Sequence, residues 1–201
     1  MTNDRGMTLL ELMTAVAILG ILTGLSTYSF QELINNRRVI EAERAIAESG
    51  MHARQIARTT NQPVRLVVGQ DTVGGVLVQR ARWEQLPCTN LWATQCPTDP
   101  CKTSPCGAGG CVCARVGDPV VLPNGFDASS IDGACWLPGS GRPVFSAGKI
   151  DCDPTYGSPA PNAFKLQNKG QLAVAIFVEP LTGATRLEDC KGADHDSNAC
   201  N

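Results

Sequence analysis

The sequence predicts an α+β protein: a long N-terminal helix, first membrane-spanning and then a stalk, packed on an antiparallel β-rich head with disulfide-bonded loops. Three observations predict it. Residues 7–30 are almost wholly apolar, apolar residues then recur at helical spacing to about residue 60, and short β-branched runs follow among ten cysteines. The 201 residues suffice for one globular head with an appendage, since single domains commonly take about 100–150. A formal net charge of −2 and a pI of about 5.7 argue against nucleic acid as the main partner, because phosphate binding needs clustered Lys and Arg. So many cysteines in 21.3 kDa place the head in an oxidising compartment, where disulfides persist.

Residues 1–6 form a short polar leader carrying Arg5, and residues 7–30 follow with one charge, Glu11. As a helix those residues extend about 36 Å, enough to cross a bilayer. Arg5 ahead of the run keeps the N-terminus cytoplasmic and sends the head outward. An ordinary secretory signal would have a shorter apolar core ending at a small-residue cleavage site; here the run passes without a Pro into further helical sequence. A carboxylate inside such a segment costs on the order of a few kcal/mol, so Glu11 is expected to be paired or functional.

From 31 to 60 the chain turns charged, yet Val39, Ala42, Ile46, Ala53 and Ala57 keep helical spacing. The stalk helix is expected to end at about Thr60, because Pro63 cannot continue the hydrogen-bond ladder. Residues 61–201 form the head. Strands are expected at Val64–Val68, Val73–Arg82, Val112–Val116, Phe164–Gln167 and Leu172–Val178. Gly74-Gly75 should bend the second, and Asn168-Lys169-Gly170 should connect the last two as a hairpin. With only ten aromatic residues, the core must lean on aliphatic side chains and disulfides.

The cysteine-rich loop, 83–113, holds Cys88, Cys96, Cys101, Cys106, Cys111 and Cys113, four of them recurring every fifth residue. That period fits no helix face, and Pro97, Pro100, Pro105 and several Gly argue against regular structure, so a loop stapled by disulfides is expected. Clustered thiolates also suit a soft metal, but a paired CxxC pattern and a nearby His are missing; no metal or cofactor is expected. Local bridges are expected for Cys135 with Cys152 and Cys190 with Cys200, without sequence fixing the connectivity.

Gly6-Met7-Thr8-Leu9-Leu10-Glu11 resembles the prepilin peptidase site of type IV pilins and pseudopilins, with Gly before the cut and Glu fifth after it. The resemblance implies cleavage between Gly6 and Met7 and methylation of the new amine at Met7. That amine would lie about one turn from Glu11, which could pair with it in the same or the next chain and set axial register during assembly. More weakly, Ala53–Arg58 leading to Pro63–Leu66, Trp136–Phe145, and Ala175–Arg186 resemble the H-type pseudopilin of type II secretion and the FimT and FimU minor pilins. These resemblances imply a minor pilin or pseudopilin in the bacterial inner membrane, single-pass, with its head in the periplasm. Its partners would be other pilins or pseudopilins, prepilin peptidase and the inner-membrane assembly platform.

Catalysis is not expected: the only histidines are His52 and His195, with no nucleophile motif around them. The second functional reading is a binding module, either an adhesive tip or a DNA-uptake subunit. Its nucleic-acid candidates, Arg142, Lys149, Lys165, Lys169 and Arg186, are scattered among apolar strands, whereas backbone contacts require clustering.

Overall fold

The computed structural model describes residues 8–73, 75–87, 99–159, 162–190 and 200, and the side chains of 25–29, 73, 76 and 99 lie outside that set. It divides into two compact units, residues 1–38 and 39–201. A 52-residue helix, α1 (Leu9–Thr60), contributes to both. Within the first unit, Leu9, Leu10, Met13, Val16, Leu19 and Ile21 are each at least three-fifths exposed. Among the described residues no helix is long and apolar enough to cross a membrane.

The second unit begins where α1 acquires a buried stripe. Val39, Ala42, Ile46, Ala53 and Ala57 are all buried, so the helical spacing read from the sequence is the face that packs. The helix stops because Asn61 adopts a left-handed conformation (φ 54°), which Asn tolerates at a helix end, and Pro63 follows.

Two antiparallel sheets complete this unit. In the first, β1 (Val64–Val73) pairs with β2 (Val76–Gln85). On one edge, β2 is joined by β3 (Arg115–Val116) and β4 (Val120–Val121). On the other, β1 is followed by β6 (Cys135–Trp136) and β7 (Pro143–Val144). The second sheet has the order β10-β9-β8-β5, formed by β5 (Phe126–Asp127), β8 (Ala163–Asn168), β9 (Gln171–Val178) and β10 (Thr185–Asp189). Residues of α1 and of both sheets share one core, including Ile46, Val64, Leu66, Trp136, Phe164 and Ile176.

Several expectations are corrected. Val73 ends β1 and pairs with Val76, so the chain turns between two strands there instead of bending within one, with Gly75 at φ 83°; positive φ is what two-residue hairpin turns demand. The strand expected at Val112–Val116 shrinks to Arg115–Val116, because bridges at Cys111 and Cys113 hold the preceding residues in the loop. Regular structure does occur in that loop, as the short helix α2 (Asp99–Thr103); Pro100 falls in its first turn, where a missing N–H breaks no helical bond. The hairpin expected around Asn168-Lys169-Gly170 is present, with Lys169 (φ 51°) and Gly170 (φ 75°) between β8 and β9.

The turn between β9 and β10 is fastened to the core. Trp136 Nε1 donates to the Gly183 carbonyl at 3.2 Å, and Arg54 Nε donates to the Thr182 carbonyl at 2.6 Å. Gly183 sits at φ +72°, and a Cβ there would lie 2.0 Å from the Gly141 carbonyl oxygen. Only glycine fits that approach.

Candidate processing and assembly site

Gly6 and Met7, the residues of the expected cut, lie outside the described residues, whereas Glu11 lies within them. Glu11 is exposed in the first turn of α1. Its Oε2 accepts from the Thr8 N–H and the Thr8 hydroxyl, each at 3.4 Å, while the Thr8 hydroxyl accepts from the Glu11 N–H at 3.3 Å. This is a reciprocal capping box, which satisfies backbone donors that the helix start leaves free. The carboxylate therefore has a helix-starting role within its own chain, in addition to any pairing with an amine. The Thr-x-x-Glu spacing at 8–11 was the sequence signal for it. Beyond Glu11, the first unit carries a run of exposed apolar side chains, Leu12, Met13, Val16, Leu19, Ile21 and Leu22 among them, the kind of surface that commonly marks an interaction site.

In the head, the bridged loop is anchored by residues that the sequence reading did not select. Along β1, Val64 and Leu66 face the shared core while Arg65 points to the opposite face of the sheet, and Glu84 lies opposite Arg65 on β2. Both are fully buried. Glu84 Oε2 accepts from Arg65 Nε at 3.0 Å and Nη2 at 2.8 Å. Arg65 also donates to the carbonyls of Cys101 (2.5 Å), Ser104 (2.9 Å) and Ile150 (2.6 Å). Glu84 in turn accepts the Cys106 N–H at 3.0 Å and Arg82 Nε at 3.0 Å. Burial pulls the Arg65 guanidinium below its usual range, against the opposing pull of Glu84. The pair thus ties the loop to the sheet, with most of its hydrogen-bonding capacity spent on loop backbone.

Around this pair, bridges join Cys101 to Cys111 and Cys106 to Cys113. Cys135 is bridged to Cys152 and Cys190 to Cys200, the two local pairs expected. Cys88 and Cys96 lie outside the described residues. The first three bridges share a second apolar cluster with Leu86, Leu137 and Val144, while Cys190 and Cys200 pack near Ala163 and Ala175. Each sheet therefore carries bridge cysteines against its second face. Closing loops of this length contributes about 2–4 kcal/mol per bridge in the chain-entropy account.

Asp132 borders the same region and accepts the Val68 N–H at 2.8 Å. Burial raises its carboxyl above the ordinary range, outweighing the hydrogen bonds from Val68 and Gly133 and the charge of Arg65. The folded state then holds this proton more tightly than the unfolded chain does. Asp132 contributes stability below its unfolded value and loses it as pH rises through the raised folded value. Asp132→Asn is expected to raise Tm at neutral pH and to lose that advantage below about pH 4. Thermal unfolding of both proteins across pH checks this, and a lower Tm for the variant at neutral pH would contradict it.

Two of the expected nucleic-acid candidates have partners within the head. Arg142 is half-buried and donates to the Pro154 carbonyl at 2.9 Å, and Arg186 stacks on Phe177 and pairs with Glu188 at 3.5 Å. His52 is exposed on α1, and His195 lies outside the described residues.

The geometry defines a class: a helix-led α+β protein with an exposed apolar N-terminal surface and a bridged head. Residues 1–27 match the family model described as the prokaryotic N-terminal methylation motif, which marks the chain as type IV pilin-like, a processed subunit. Neither curated proteins nor solved structures yield a match to the chain.

Proposed function

We propose that the chain is a minor pilin or pseudopilin, a structural subunit of a type IV pilus or a type II secretion pseudopilus. It performs no catalysis. The observation that carries this reading is the methylation motif over residues 1–27, continuous with a helix whose apolar surface is exposed in the isolated chain. Prepilin peptidase removes residues 1–6 and methylates Met7. Before assembly, residues 7–30 hold the subunit in the bacterial inner membrane with the head in the periplasm; the assembly platform then transfers it into the filament. There the apolar surface of the helix packs against other pilins or pseudopilins instead of lipid. The bridged, divergent head suits a minor or initiating subunit better than a repeating shaft, because its distinctive surface need be displayed only once.

Within this mechanism Glu11 has two successive partners. In the precursor it caps α1 through Thr8; after cleavage the charged amine of Met7 competes for it, in the same or a neighbouring chain. A deletion strain complemented with the Glu11→Ala gene is expected to cut the precursor normally but recover little of the protein in sheared filaments. Immunoblots of membrane and sheared fractions provide the readout. Wild-type incorporation of the variant would remove Glu11 from the assembly step.

A further inference from the structure

The last turns of α1 form one wall of a groove of about 520 Å³, to which Arg54, Gln55, Arg58 and Thr59 contribute; Ala184 and Thr185 lie across it. No carboxylate lines it among the described residues. Arg54 and Arg58 are one helical turn apart, so their like charges share one face. Arg54 uses Nε to hold the Thr182 carbonyl, and its two Nη groups have no acceptor among the described residues. Arg58 has no ion pair among them either.

The groove is built to keep these cations together. Gly141 lies at φ +65°, and a Cβ there would sit 2.9 Å from Arg58 Cγ and 3.2 Å from Arg54 Cγ. With glycine, both stems lie against the loop, which limits the freedom lost when a ligand binds. A basic residue in the last turn does complement the helix dipole, but that accounts for Arg58 alone and not for a second cation on an open, carboxylate-free wall.

We propose that this groove is a binding site for a phosphate-bearing ligand. Guanidinium groups match phosphate oxygens with paired donors. Two such charges on one wall suit a phosphate group, which carries about −1.5 to −2 near neutral pH, better than the single charge of a carboxylate. The groove's size also lies within the roughly 300–1,000 Å³ of small-molecule sites.

The test titrates the full chain in non-ionic detergent at low ionic strength with inorganic pyrophosphate by calorimetry. The expected result is saturable binding with one site per chain, weakened about tenfold or more by Arg58→Ala. Arg44→Ala, equal in charge change and elsewhere on α1, should leave it unchanged. Arg54→Ala should weaken it as well, with near-ultraviolet circular dichroism checking that loss of the Thr182 contact has not unfolded the head. A short single-stranded oligonucleotide distinguishes the source: binding lost with Arg58→Ala indicates a nucleic-acid backbone, whereas pyrophosphate binding alone indicates a small phosphate compound. Absent pyrophosphate saturation, binding indifferent to Arg58→Ala, or stronger competition by a glutamate-rich peptide than by pyrophosphate would each overturn the assignment.

Discussion

Arg65→Met is expected to destabilise the head by about 3–5 kcal/mol, the usual effect of removing one partner from a buried ion pair. The substitution leaves Glu84 buried with Arg82 as its remaining cation, and it takes a donor from the carbonyls of Cys101, Ser104 and Ile150. For a domain of this size the loss corresponds to a Tm lower by roughly 6–20 °C. Hydrogen exchange should quicken first in residues 99–113, because the pair binds that segment through its backbone. The double variant Arg65→Met with Glu84→Leu should recover part of the loss, since no charge is then left buried alone. A single variant with a parental Tm and unchanged exchange in the loop would show that the bridges hold the loop without the pair.

Gly6→Val should abolish processing altogether. The resemblance around Gly6-Met7 implies a scissile bond directly after Gly6, and a branched side chain there would crowd the peptidase and restrict the backbone, which glycine leaves free. Intact mass of the membrane-fraction protein should retain residues 1–6, and sheared filaments should lack it. The effect should exceed that of Glu11→Ala, whose proposed role begins only after the cut. The two substitutions therefore separate processing from assembly: an uncut Gly6 variant with a cut but unincorporated Glu11 variant supports both steps. A Gly6 variant cut at the normal position would displace the cleavage site from this bond.

The N-terminal motif and α1 were legible in the sequence because their determinants are local. Gly6, Met7 and Glu11 occupy a fixed linear spacing, and a helix repeats its buried face every three or four residues. Val39 through Ala57 therefore announced the packed face, and Asn61 with Pro63 marked the helix end. Lys169-Gly170 was legible for the same reason, as a turn chemistry contained in adjacent residues. The Thr8–Glu11 capping box was equally local and was simply not read.

Tertiary structure decided what depends on register and on covering a second face. Reading Gly74-Gly75 as a bend instead of a turn hid the pairing that sets Arg65 opposite Glu84. Without that register, Arg65 looks like a solvated strand position, and Glu84 falls outside the expected strand, in the loop assigned to 83–113. The short strands β4, β5, β6 and β7 have two residues each, too few for an alternation to emerge, and they exist because longer neighbours supply their hydrogen bonds. Cysteine partners in the loop were similarly undetermined, since many pairings satisfy the same spacing and only the chain path around Arg65 and Glu84 selects one. The sequence by itself determined a processed, helix-led subunit with a bridged β-rich head. The buried ion pair, the bridge pattern and the Arg54–Arg58 groove were decided by long-range packing, because each brings together residues whose separation along the chain carries no periodic signal.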